Sequence, residues 1–218
     1  MDPNGEDLVV ADNKESRNDI LSIVNASNRD RVSFGEDGKV SVNMEGLKDE
    51  DAGLSLINAM AGSEKNYYFE TSDIALCRNE NGDRNYVDLT FENTLGCLNA
   101  STGGLDSKGR HIDLPIEGFD GQVVVSKSGS FSYGPQDRRK NVIFHELAEN
   151  FLRTDRGMNY YGSNGSSDGA HRAAAKMEFN AWGTMEPGTA KYSPNRSHIG
   201  QGSPEFQRIS KYIINGKY

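Results

Sequence analysis

Apolar positions come in short, alternating runs through the first half of the chain and at helical spacing in its last third. Leu8-Val9-Val10 is an apolar run, and Asp12 or Asn13 after it can cap a helix reaching about Val24. Ile20, Leu21 and Val24 fall on one face of that helix. The stretches 31–34 and 39–42 flank Gly35-Glu36-Asp37-Gly38 and read as a hairpin closed by an Asp-Gly turn. Leu54, Ile57, Asn58 and Ala61 predict a short helix that stops at Gly62. Strands are expected over 67–76 and 85–91, joined by the turn-rich 79–83. The glycine-rich stretch 96–121 reads as a long functional loop, and 122–126 with 130–133 as one more hairpin around Lys127-Ser128-Gly129.

Helical spacing dominates the rest, with helices expected over 138–153, 169–182 and 204–214. Ser203-Pro204-Glu205 opens the last of them with a cap and a proline at the first helical position. The class is α+β, with mostly antiparallel strands in the first half and helices in the last third. At 218 residues one domain is expected, spanning 8–218.

Charge narrows the partners. Twenty-four basic residues against 32 acidic give a net charge of −8, which disfavours a phosphate-neutralising surface and so a nucleic-acid partner. No apolar run is long enough to span a bilayer, so no membrane span is expected. The first residues are acidic where a signal peptide needs a basic end, so export would require another route. Cys77 and Cys97 are the two cysteines; they read as small buried or half-buried thiols, and no CxxC pair exists for a zinc knuckle or redox motif.

The segment Val142-Ile143-Phe144-His145-Glu146-Leu147-Ala148-Glu149-Asn150-Phe151-Leu152 carries the chemistry. On a helix, Ile143, Phe144, Leu147, Ala148, Phe151 and Leu152 share one broad face. His145 and Glu149, four residues apart, stand one above the other at its edge, where both can reach one ion. Glu146 lies about 100° further round, the side from which a general base addresses water in His-Glu-x-x-His enzymes. On the next helix His171, Ala174, Ala175, Glu178 and Trp182 form a stripe, and its small residues permit close approach. His145, Glu149 and His171 then make up a His₂Glu set, one of the established ligand sets of hydrolytic zinc. Glu178 is a ligand's outer partner, a fourth ligand or a solvent-facing charge; Asp168 caps its helix. The stretch 154–169, with Tyr160 and Tyr161, is either a lid whose tyrosine hydroxyl meets a developing oxyanion or a surface connection. His111 and His198 read as solvent-facing.

At His145-Glu146-Leu147-Ala148-Glu149 and the downstream His171 the sequence resembles the zincin metallopeptidase superfamily, departing from its common motif at Glu149. The resemblance implies a zincin-like helical metal site, Zn²⁺ as cofactor and a protein or peptide substrate. Asp2-Pro3-Asn4-Gly5 resembles the sequence that closes the core of RHS-repeat proteins just before their C-terminal toxin domains. That likeness implies that 1–7 is a junction to a larger protein and that the rest is an effector domain secreted or delivered into a target cell as part of an RHS-repeat shell, with an immunity protein as partner. The expectation is a zinc-dependent peptidase or amidase with Glu146 as base. The alternatives are a metal-dependent nuclease or phosphodiesterase, and a non-catalytic binding module.

Overall fold

The computed structural model describes residues 7–90, 96–105, 113–128, 139–160 and 169–182. The strand β1 (Leu8–Val10) is followed by α1 (Lys14–Ser22), whose first turn is closed by Asn13 accepting from the Ser16 amide at 2.7 Å. A hairpin of β2 (Val32–Phe34) and β3 (Val40–Val42) comes next, as the Asp-Gly turn predicts. Then comes α2 (Ala52–Ala61), capped by Asp51 and ending at Gly62. The remaining strands are β4 (Tyr67–Thr71), β5 (Ile74–Arg78), β6 (Arg84–Asp88), β7 (Cys97–Ser101) and β8 (Gly121–Val125). Two helices complete the described chain, α3 (Arg139–Thr154) and α4 (Ala170–Trp182).

The α+β class holds, and the central sheet is mixed. Its order is β1-β4-β8-β7, with β1, β4 and β8 parallel and β7 antiparallel to β8. The antiparallel expectation holds for the β2–β3 and β5–β6 pairs. It fails for β1 and β4, because the connection between them carries two helices and returns the chain in the same direction.

Three layers result. Leu8, Val10, Tyr67, Phe69, Val123 and Val125 face the helices, whereas Leu98, Ala100 and Val124 face Ala75 and Cys77 of the β5–β6 ribbon. All five residues of β8 are buried, as expected of a strand covered on both faces.

Three expectations change. The strand expected over 67–76 breaks at Ser72-Asp73, where β4 leaves the sheet and β5 starts the ribbon; Ser72 Oγ closes the bend onto Ile74. Part of the expected loop 96–121 is β7, whose polar alternation at Cys97, Asn99 and Ser101 disguised a strand facing polar side chains of α3. The hairpin partner expected for β8 lies outside the described residues, and β4 and β7 occupy both edges of β8. The helix expected over 204–214, Asp168, His111, His198, Tyr161 and residues 1–6 also lie outside the described residues.

Two devices place α3 on the sheet. At its start, Arg139 forms a bidentate pair with Asp19 of α1 and donates to the Ser126 carbonyl at 2.9 Å, while the Thr71 hydroxyl donates to Asp19 at 2.7 Å. Further along, Gly121 lets the helix lie close: a Cβ there would stand 2.2 Å from Asn150 Oδ1 and 2.8 Å from the Tyr67 ring. Gly121→Ala is therefore expected to cost about 1–3 kcal/mol through overpacking. An unchanged urea midpoint would show that the helix has slack there.

The chain leaving β8 is pinned by Asp73, which accepts from Ser126 Oγ, the Lys127 and Ser128 amides and Ser128 Oγ. Ser126 foremost, together with the Ser128 and Lys127 donors, holds the Asp73 carboxyl at about 2. A carboxyl depressed on folding adds stability above its unfolded value of about 3.9 and loses that contribution as the pH falls through its folded value. Acid titration of the parent should show a loss between about pH 4 and pH 2 that is smaller in Asp73→Asn. Equal acid limbs in the two proteins would contradict the tether.

Candidate metal centre

Helix α3 carries two buried polar rows. Asn141, His145, Glu149 and Arg153 follow one another at four-residue spacing, and Glu146, Asn150 and Thr154 form the second row. All seven are buried. Burial of so many polar groups is tolerated only where each finds a partner.

The first row meets α4. His145 Nε2 lies 3.1 Å from His171 Nδ1, His171 Nδ1 lies 2.8 Å from Glu149 Oε2, and Glu149 Oε2 lies 3.7 Å from His145 Nε2. The three side chains meet at one point, as the helical spacing predicts, and form a group that can hold a metal ion. The fit can be tested from these distances alone. A circle through three atoms so spaced has a radius of about 1.9 Å, so a point about 0.8 Å above their plane stands about 2.05 Å from all three, within the range of Zn–N and Zn–O bonds.

Behind His145, Glu178 Oε2 lies 3.4 Å from Nδ1, and Asn141 donates to Glu178 Oε1 at 3.1 Å. Glu178 is fully buried, which removes the solvent-facing reading. A carboxylate on the far nitrogen of a ligand histidine fixes ring orientation and raises basicity. On the other side, the Tyr160 ring stacks on His171 with centroids 4.9 Å apart and planes 20° apart. Burial pushes the Glu149 carboxyl up, but the adjoining His145 and His171 imidazoles outweigh it and hold the group at about 2. Glu149 is thus an anion ready for a cation.

The second row meets β7. Asn99 Nδ2 donates to Glu146 Oε2 at 2.8 Å and to the Glu146 carbonyl at 3.0 Å. Asn150 Nδ2 donates to Asn99 Oδ1 and to the Ala100 carbonyl, both at 2.7 Å, which fixes the Asn99 amide. The Cys97 thiol approaches Glu146 Oε1 at 3.4 Å. Burial, with the nearby Glu149 charge, raises the Glu146 carboxyl, opposed by His145 and by the Asn99 donor. An upward shift of this kind suits a carboxylate that must both take and give a proton.

Asn99, Asn141, Asn150 and Arg153 are the site residues that the sequence reading missed. Their signal was the four-residue repeat Asn141, His145, Glu149, Arg153, and Asn150 four residues after Glu146. Cys77 and Cys97 both carry reduced thiols, the first buried and the second half-buried, in keeping with expectation.

Charge completes the site. Glu146, Glu149 and Glu178 set three buried carboxyls against one buried guanidinium, Arg153, a formal excess of two negative charges. A divalent cation held by the triangle would cancel it, as would protonation of both imidazoles. Comparison with protein-family models, curated proteins and solved structures finds no match for the chain. Fold and site together define an α+β domain with a buried His-Glu-His group able to hold a metal ion.

His171 is held by a strap. Its amide donates to the Tyr160 carbonyl at 3.3 Å, Ala170 N to the Asn159 carbonyl at 2.9 Å, and Tyr160 N to the Leu105 carbonyl at 2.7 Å. Gly104, at φ +61°, sits against this strap: a Cβ there would lie 2.0 Å from the Met158 carbonyl. Gly104→Ala should push the strap outward and move His171, leaving His145 in place. NMR of the imidazole resonances reads this directly, and unshifted His171 signals in a folded variant would contradict the coupling.

Proposed function

We propose that this chain is a zinc-dependent hydrolase, a metallopeptidase or amidase. The observation that carries the reading is the triangle of His145, Glu149 and His171, whose dimensions suit a four-coordinate ion with one open position. Bound zinc supplies Lewis acidity, polarising a carbonyl and acidifying a water. The chain's own residues do the rest. His145, Glu149 and His171 bind, and Glu178 and Tyr160 fix the two rings. Glu146, held on Oε2 by Asn99, takes the proton of the attacking water and passes it to the leaving amine.

A peptide substrate is favoured by the strand beside Glu146. Ser126 N donates to the Gly96 carbonyl and Thr102 N to the Asp120 carbonyl, so 96, 98, 100 and 102 turn their main-chain groups toward β8. Asn99 and Ser101 therefore turn theirs toward the other side of β7, where Arg153 donates to the Asn99 carbonyl and β7 is an edge strand among the described residues. An extended peptide pairs with such an edge. The net charge of −8 speaks against a phosphodiester substrate, which calls for a basic groove.

The place of this activity in a larger protein is a further part of the proposal. The likeness at Asp2-Pro3-Asn4-Gly5 supports an effector domain carried by an RHS-type shell and matched by an immunity protein. No helix among the described residues is long and apolar enough to cross a membrane.

Mutation separates the roles. Glu146→Gln should keep one zinc per chain while hydrolysis of unfolded protein substrates falls by about 10²-fold or more. His145→Ala and His171→Ala should lose both metal and activity. Metal content by elemental analysis and peptide release by mass spectrometry check this; full activity in Glu146→Gln would remove it as the base, and unchanged zinc in the histidine variants would remove the site.

A further inference from the structure

We infer that Arg153 is a positioning residue that holds Glu149 to the metal through one oxygen, selecting a small four-coordinate ion such as zinc over larger, oxygen-seeking ions. This rests on the reading of the site as a zinc centre. The two oxygens of Glu149 have different neighbours. Oε2 belongs to the ligand triangle, 2.8 Å from His171 Nδ1, whereas Oε1 faces Arg153 Nη1 at 3.6 Å. Arg153 sits four residues on, directly above Glu149 on α3, and is buried.

The guanidinium is held from a second side. The same Nη1 donates to the Asn99 carbonyl on the open side of β7 at 3.1 Å, so it cannot follow the carboxylate if that group rotates. Two-oxygen binding of an ion turns Oε1 away from Arg153 and takes its nearest carboxylate oxygen from a buried cation, leaving it the Asn99 carbonyl and the more distant Asp113 carboxyl. Removing one partner of a buried charge pair is among the costlier changes a site can undergo. Manganese and calcium gain most from a second carboxylate oxygen because they favour six or more oxygen ligands; zinc, at four-coordination, does not need it. Arg153 thus penalises the wrong ions more than the right one.

A merely structural Arg153, clamping α3 to β7, makes a different prediction. Removing a positive charge near the site shifts the affinity of every divalent ion in the same direction, and that shift cancels in a ratio. A change in how many oxygens Glu149 offers does not cancel.

The test measures the Zn²⁺:Mn²⁺ affinity ratio by chelator competition and electron paramagnetic resonance, with Co²⁺ visible absorption as a report of geometry. In Arg153→Met the ratio should narrow by about tenfold or more, the scale typical of outer partners of metal ligands, and the intense tetrahedral Co²⁺ bands should weaken. Arg153→Lys, which keeps a cation on Oε1, should retain the parent ratio and spectrum. An Arg153→Met protein that is folded and keeps both overturns the inference and leaves the zinc reading standing. A parent that binds neither Zn²⁺ nor Co²⁺ overturns both. X-ray absorption of the zinc-loaded parent needs no variant: a four-coordinate shell with a one-oxygen carboxylate supports the assignment, and a two-oxygen carboxylate overturns it.

Discussion

A helix that buries seven polar side chains must find a partner for each, and that requirement organises the molecule around α3. Its two polar rows point in two directions, one at α4 and one at β7, so neither neighbour can be an ordinary apolar surface. The β7 strand answers with Cys97, Asn99 and Ser101 on its inward side, and α4 answers with His171 and Glu178 between alanines. Hydrogen bonds satisfy most of the demand. They do not balance the charge, since three carboxyls outnumber Arg153 by two. The His145–Glu149–His171 triangle is a group that can hold a cation at that point.

Much of the rest of the fold keeps this arrangement in register. The Asp19–Arg139 pair sets where α3 begins, and Gly121 sets how closely it lies on β8. The strap over 158–160 sets the position of His171, tied through Leu105 to the chain just after β7. The His145–Glu149–His171 group and the edge strand are therefore braced by the same short stretch, 101–105. A shift of β7 would be felt at both Glu146 and His171.

The legible parts of the sequence were those whose pattern follows one physical demand. The α1 and α2 caps, the β2–β3 hairpin, α3 and α4 could be read because polar and apolar positions alternate there at a helical or strand period. The convergence of His145, Glu149 and His171 was legible for the same reason, a four-residue spacing beside a small-residue stripe. The β7 strand was missed because its inward face is polar, inverting the alternation that identifies a strand. The parallel pairing of β1 with β4 depends on a connection through two helices, which local periodicity does not encode. Asn99 and Arg153 stayed hidden because the roles that the structure gives them rest on atoms some 50 residues apart, Asn99 to Glu146 and Arg153 to Asn99.

Anomalous diffraction at the zinc edge from crystals of the zinc-loaded protein tests the central claim most directly. The expected result is a single strong peak about 2.0–2.1 Å from His145 Nε2, Glu149 Oε2 and His171 Nδ1, with the Glu178 carboxylate still behind His145. A peak elsewhere, or no peak within bonding distance of these three atoms, would contradict the account.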